Sequence, residues 1–572
     1  MTALTFVFFT TLVAIVSWLK TKNDDQSSTE GYFLAGRSLS WFVVGGSLLL
    51  TNLSTEQLVG LNGGAFQNGM LVMAWEVWSS LSIVAMAIVF LPRYLKSGIT
   101  TVPQFLELRY GQTVRTFTSV MFLAAIIVVV LPFVLYSGSI FMIDVFGVSK
   151  LTGWEGDAGK TKNLLLVASM LAGIGGCYAI LGGLKAVAVS DTINGIGLVI
   201  GGLMVPALGL MFVGDGSLTA GLTTISETYP ERLSSLGDAD SDIPWATLLT
   251  GMTLITTYYW CTNQGIVQRT FASKSLAEGQ KGVLFAAVMK LAGPLYLVLP
   301  GIIAWHIAKT GDVQPENANN AYGFLVNQVM PTWAKGFFAA TIFGAILSSF
   351  NSFLNSATTL LSMDLYKGVV NKSAEQKKVV QVGKVFGTLI IPLSVYLTYL
   401  LAGDAEKGGI FNTMKQYAAV IQIPLLTIIF VGFVSKRAPS IAAIVGLAVG
   451  MGFQFVVGVL LGNTVAGTEY HWLHVLFFNF LLMVAVMTAI RFLAPRDQPY
   501  EQKYTEDVEI TPWKLAKPVG FAIVVCIAAM YYGLWNKYGI IEGKRMKADF
   551  AEIYPEPLDA MIEESDDAGN DC

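Results

Sequence analysis

Five ionisable side chains stand inside long apolar stretches of this 572-residue chain: Glu56, Glu76, Asp191, Lys290 and Asp364. At the centre of a membrane helix such a charge costs about 2.5–3.5 kcal/mol on insertion scales. A sequence keeps one there as half of a structural ion pair, or because it lines a path for a polar solute. Glu76 and Lys290 have aromatic and polar neighbours and favour the second reading. Asp364, close to the end of its stretch, favours an ion pair or a helix-end role. Arg269 and Lys384 also lie near stretch ends, where long stems can carry the charge to water.

Two apolar stretches are poorly built as continuous helices. Residues 41–65 hold a polar run from Thr51 to Gln57 with glycines on either side. Residues 246–268 hold another, from Thr256 to Gly265, with Tyr259 and Trp260 inside it. Irregular backbone at membrane depth survives only where it lines a cavity, and interrupted helices at matching places in two halves point to a transporter's binding site. A third feature is the run Ala345–Ser352. Ser348, Ser352 and Asn355 share one helical face at i, i+4 and i+7, with Ser349 beside them. Hydroxyls and free carbonyls are hard oxygen ligands suited to a small cation. The same small residues suit close helix packing, and both readings stand.

The elements that must hold these residues are membrane helices. Of the residues, 54% are hydrophobic and 13% charged, about half the charge of a soluble domain. The apolar residues come in blocks long enough to cross roughly 30 Å of hydrocarbon. The spans read as 2–19, 41–65, 69–92, 116–143, 163–181, 186–212, 246–268, 282–308, 333–364, 379–401, 409–434, 440–462, 470–490 and 518–535, an all-α integral membrane fold of about fourteen transmembrane helices. No basic residue precedes Lys20 and no small-residue cleavage site follows the first span, so it reads as a retained helix. With the N-terminus outside, the cytoplasmic connections hold 23 basic residues against 11 in the outer loops and C-terminal tail. That asymmetry predicts a plasma (inner) membrane protein with both termini on the extracellular or periplasmic side.

The chain divides into an extra N-terminal helix and loop (1–40), a first five-helix unit (41–212), an outer loop with a short surface helix (213–245), a second five-helix unit (246–434), three additional helices (435–535) and an acidic tail (536–572). An odd number of helices per unit gives the two units opposite orientations. Residues 549–572 carry nine acidic side chains and no basic one, and read as disordered or loosely attached. Catalysis finds no support. The three histidines do not cluster, Cys177, Cys261 and Cys526 lie in spans, and no phosphate loop, zinc-protease helix or nucleophile elbow is present. No cofactor is expected.

At these residues the sequence resembles the solute:sodium symporter family, which includes the sodium/glucose cotransporters. The likeness is carried by Tyr32–Leu39, Asn52–Gln57, Gly182–Val187, Gln268–Thr270, Lys274–Ser275, Gln280–Gly282, Leu347–Ser349, Asn355–Thr358 and Met363–Lys367, in register over about residues 30–435. It implies a leucine-transporter-like 5+5 inverted repeat with one helix before it and three after. It also implies sodium-coupled symport of a hexose-like sugar, galactose or glucose, into the cell by alternating access. Sodium is then the coupling ion; the partners are the sugar, sodium and the lipid bilayer, with no nucleic acid. The alternatives are sodium symporters for an acidic or amino sugar, inositol, an amino acid or a vitamin.

The resemblance further implies roles residue by residue. Sodium would meet the backbone carbonyls of Leu50, Leu53 and Ala345 and the hydroxyls of Ser348 and Ser349, with Asp191 on its exit route. Sugar hydroxyls would meet Gln57, Glu76, Ser79 and Lys290, with Tyr259 stacked under the sugar as the inner gate beside Trp260. Leu61, Trp75 and Phe411 would form the outer hydrophobic gate. Four positions depart from the family's pattern: Thr256 stands in the place of an asparagine, Trp75 in that of a phenol, Lys415 in that of a sugar-binding glutamine, and Asn351 where two-sodium members carry a threonine. Lys415 either adds positive charge to the pocket beside Glu76 and Lys290, suiting a carboxylated substrate, or reaches the outer surface.

Overall fold

Apolar segments in a bilayer have no water to satisfy their backbone amides and so close their hydrogen bonds internally, as helices. The computed structural model describes residues 2–405, 410–506 and 508–554; within these ranges the side chains of residues 2–3, 55–56, 144, 403–405 and 410–417 fall outside the described residues. Helix α1 is Thr2–Thr21. The first predicted interruption is real: α2 runs Trp41–Asn52 and α3 runs Thr55–Asn68. In a continuous helix the Ser54 amide would bond to the Leu50 carbonyl, but it turns to Asn52 O at 2.8 Å. The Gln57 amide likewise leaves Leu53 and bonds to Ser54 O at 3.1 Å. Glycines let α2 press between its neighbours: a Cβ on Gly45 would lie 2.8 Å from the Gly282 carbonyl oxygen, and one on Gly46 would lie 2.9 Å from the Thr192 side chain.

Helix α4, Gly156–Val213, is 58 residues long, which as a straight rod would span about 87 Å. It leaves helical geometry at Gly183 (φ 61°, ψ −169°), a conformation closed to residues with a side chain. The second interruption separates α5, Thr253–Cys261, from α6, Gln264–Phe271. The amides of Thr262 and Asn263 both fall back on Tyr258 O (2.9 and 3.0 Å), and the Asn263 side chain caps the Gly265 amide at 2.9 Å. Then come α7, Leu276–Leu291, α8, Thr332–Thr359, α9, Ile410–Val434, α10, Trp472–Leu493, and α11, Gly543–Ile553.

By length and composition, nine helices among the described residues can cross a membrane, or ten if the bent pair Leu276–Leu291 and Pro294–Thr310 is one crossing. The expected count of fourteen is not confirmed. The expected spans 163–181 and 186–212 lie on either side of the break at Gly183 within α4, α2 is only 12 residues long, and of α9 only Ala418–Val434 lies wholly among the described residues. Burial orders the helices from centre to edge. In the span Thr332–Val370, which contains α8, 89% of the apolar window is buried, against 17% for Leu4–Thr21. Helix α8 packs against α1, α2, α4 and α6, and α2 packs against α4 and α7.

The loop after α4 contains the short helix Leu218–Thr228, as expected. A parallel pairing of Leu236–Gly237 with Ile540–Ile541 ties this loop to the C-terminal segment. The tail is not loose along its first part. Phe550 and Tyr554 set their rings against Phe66 of α3 (centroids 6.3 and 6.5 Å), and the Tyr554 hydroxyl donates to Pro315 O at 2.6 Å. On α11 Met546 and Ile553 are buried. Residues 555–572 lie outside the described residues.

Candidate substrate and sodium site

Glu76 follows a tight 3-10 stretch, Gly69–Trp75, and Lys290 stands in the last turn of α7. The Lys290 ammonium lies 2.6 Å from each Glu76 carboxylate oxygen, and the two side chains are 1% and 0% exposed. Gly293 makes room for the carboxylate: a Cβ there would lie 3.0 Å from Glu76 Oε2. The ammonium also faces the Trp260 ring, 5.5 Å from its centroid, and Trp260 meets Tyr259 edge-on at 5.4 Å. Desolvated charges of this kind are tolerable only when paired and bonded, and an aromatic face adds to the cation's stabilisation.

The other expected pocket residues stand on three helices. Ser79 donates to Glu76 O at 2.7 Å. The hydroxyls of Thr256 and Ser82 lie 2.9 Å apart and stitch α5 to the helix Ser79–Ala85. Gln57, in the first turn of α3, keeps its side-chain carbonyl buried without a hydrogen-bond partner. Leu61 is buried on the same helix, and half-buried Trp75 stacks on Trp472. The side chains of Phe411 and Lys415, and of Glu56, lie outside the described residues.

The expected sodium ligands stand on two helices that touch. Ser349 donates to Thr51 O at 3.2 Å, and the Thr51 and Ser352 hydroxyls lie 3.2 Å apart, so α8 is bonded to the end of α2 just where Leu50 and Leu53 lose their helical partners. Ala345 is buried one turn away, and the buried Ser348 hydroxyl has no hydrogen-bond partner. A cavity of about 80 Å³ opens beside Ser348 and Asn351, lined also by Thr10, Tyr178 and Asn194. Neutral hard oxygens with an unsatisfied hydroxyl fit a small monovalent cation. Among the described residues no group of three or more His, Cys, Asp or Glu is placed to hold a metal.

Asp191 belongs to a relay that extends past the predicted residues. Its Oδ2 accepts from Ser47 at 2.7 Å, and Ser47 accepts from Arg269 Nε at 2.9 Å. Arg269 also donates to Gly265 O and to the Ser352 hydroxyl. The expectation that Arg269 reaches water is wrong: it is fully buried. The break at Thr262–Asn263 lets α6 turn this side chain inward. Asp364 takes the ion-pair role, bonded to Arg115 at 2.7 Å and to Thr101 at 2.9 Å. Ser47 and Trp472 were not singled out by sequence: Ser47 is a small hydroxyl ahead of the polar run, and Trp472 stands among several aromatic residues at the start of its segment.

Broken helices around a buried polar core are the architecture of a multi-pass membrane transporter. Residues 32–450 match the sequence pattern of the Sodium:solute symporter family, and the chain belongs to that family. It is 45% identical over 531 residues to the uncharacterized symporter YidK of Escherichia coli (strain K12), covering 93% of this chain and 90% of that one. It is 32% identical over 468 residues to the sodium/glucose cotransporter of Vibrio parahaemolyticus, covering 78% and 83%. Its fold is similar to the substrate-bound outward-open state of a Na+-coupled sialic acid symporter, with TM-score 0.73 and 18% identity over 88% of this chain and 99% of that one. Sodium-coupled movement of a small solute is therefore the activity of this chain.

Proposed function

We propose that the solute is a neutral hexose such as galactose or glucose, carried into the cell with sodium. The observation that carries this reading is the Glu76–Lys290 pair. It offers acceptors and donors at one buried point while contributing no net charge, beside the Tyr259–Trp260 rings, and the unbonded Gln57 carbonyl is a further free acceptor. A sugar needs that combination: hydroxyls that donate and accept, and an apolar face for an aromatic plate. A carboxylated solute would need an uncompensated cation instead.

In this account α2–α3 and α5–α6 open two inverted five-helix units, and the chain crosses the membrane fourteen times with both termini outside. Sodium is held by the carbonyls of Leu50, Leu53 and Ala345 and the hydroxyls of Ser348 and Ser349, joining the broken helix to α8 and favouring the outward-open form. Sugar hydroxyls separate Lys290 from Glu76 and take over their hydrogen bonds. Leu61, Trp75 and Phe411 close outside, Tyr259 opens inside, and sodium leaves past Asp191. Each ligand drives the change only through its different affinity for the two states. A tenfold sodium gradient (about 1.4 kcal/mol) with 100 mV (about 2.3 kcal/mol) supports accumulation of several hundredfold for one sodium per sugar.

The test is competition against sodium-dependent uptake in proteoliposomes by neutral hexoses, inositol, amino sugars and carboxylated sugars. Inhibition by galactose or glucose at the lowest concentrations supports the proposal. Inhibition by carboxylated sugars alone contradicts it and assigns Lys415 to the pocket.

A further inference from the structure

Trp75 ends the stretch that leads into Glu76, and its indole lies flat against that of Trp472, with ring centroids 6.4 Å apart and planes 18° apart. Trp472 opens α10, which belongs to neither five-helix unit, and its position is pinned from both. On one side His471 Nδ1 accepts from the Leu473 amide (3.3 Å), leaving Nε2 to donate to Asp242 O (3.2 Å). The Asp242 carboxylate in turn accepts from Asn68, the last residue of α3, at 2.7 Å. On the other side His474 Nδ1 lies 3.0 Å from the Thr250 hydroxyl, in the wide turn Leu248–Met252 just ahead of α5. Gly251 in that turn sits so close to Leu473 that a Cβ would fall 1.9 Å from the Leu473 carbonyl oxygen. Residues 471–474 thus hold the ends of both interrupted helices, with the Trp75–Trp472 stack between these anchors.

We propose that Trp472 is a gating residue, the surface against which Trp75 seats when the outer mouth closes, so that α10 sets the closed position for both units. This rests on the symport reading above and extends the outer gate beyond Leu61, Trp75 and Phe411. A stacked aromatic pair shifts an equilibrium by about two- to twelvefold. Losing the indole at 472 therefore makes the outer mouth open more often by that factor, without touching the sodium ligands.

The test is the labelling rate of Leu61→Cys by a membrane-impermeant maleimide added outside proteoliposomes, with potassium in place of sodium on both sides and no sugar. The chain without that substitution gives the background. Trp472→Ala is expected to speed labelling about two- to twelvefold, Trp472→Phe is expected to keep most of the slow rate, and adding Trp75→Ala to Trp472→Ala is expected to add less than Trp75→Ala does alone. An unchanged rate in Trp472→Ala, or a double variant showing the full sum of both single effects, overturns the proposal. Should Trp472→Ala not fold, Trp472→Leu keeps bulk without the stack and carries the same expectation. The readout uses no sugar, so its failure is distinct from a failure of sodium-driven uptake by the unaltered chain, which would count against the symport reading.

Discussion

The Lys290 ammonium is shared equally between the two Glu76 oxygens, 2.6 Å from each, although the residues lie 214 positions apart in the chain. Each charge is stable in its buried place because of the other. Removing one leaves the other uncompensated, so Lys290→Ala and Glu76→Ala are each expected to destabilise the protein by about 3–5 kcal/mol. The double change Glu76→Gln with Lys290→Met is expected to recover most of that stability while the half-saturating sugar concentration stays raised. Thermal melts in detergent beside uptake kinetics separate the two effects. A double variant with normal sugar affinity would remove the pair from the pocket.

Gln57 gives the complementary case. Its side-chain carbonyl is buried and bonds to nothing in the protein, so truncation removes an unsatisfied group rather than a bond. Gln57→Ala is expected to leave the melting temperature unchanged or higher and to raise the half-saturating sugar concentration about tenfold, the loss of one hydrogen bond to a polar solute. Unaltered sugar kinetics would place Gln57 outside the sugar path.

Ser349 bonds across to the broken helix at Thr51, while Ser348 has no partner. Loss of a ligand hydroxyl is expected to move the sodium activation curve to higher sodium by about tenfold or more, since even residues behind metal ligands cost 10–100-fold in affinity. Ser348→Ala should show this with little loss of stability, and Ser349→Ala with some. Sodium activation curves that superimpose on that of the unaltered chain would exclude this site.

Ser47 joins Asp191 to Arg269. Ser47→Ala leaves both Asp191 oxygens without a hydrogen-bond donor and is expected to cost about 1–3 kcal/mol. Asp191→Asn in the same chain leaves the buried Arg269 without its counter-charge and is expected to lower stability further. Differential scanning of the two variants beside the unaltered chain checks this; if Asp191→Asn restores stability, Asp191 is not what balances Arg269.

Much of this architecture was legible in residue order. Polar runs in apolar segments marked the breaks at Leu53–Ser54 and Thr262–Asn263, because helix continuity and membrane depth leave unbonded amides few alternatives. Glu76 and Lys290 stood out for the same reason, the cost of an isolated charge. Arg269 was misjudged because its distance from a span end measures depth only in an unbroken helix. Asp364 was seen as a pair without its partner, since pairing with Arg115 depends on how separate helices lie together. Gly183, whose positive φ turns one long helical run aside, falls at the break that the sequence reading places between spans 163–181 and 186–212. Trp472 was passed over because its helix lies outside the two five-helix units expected from the sequence, and only packing reveals that it meets Trp75.

The most direct test of the central claim is accumulation of labelled galactose and glucose in proteoliposomes under an inward sodium gradient, with equal potassium in its place as the comparison. The account predicts an uphill, sodium-dependent concentration of at least one of the two sugars that collapses when the gradient is dissipated. Equal, merely equilibrating entry in sodium and potassium, or no entry of either sugar, would contradict sodium-driven hexose transport by this chain.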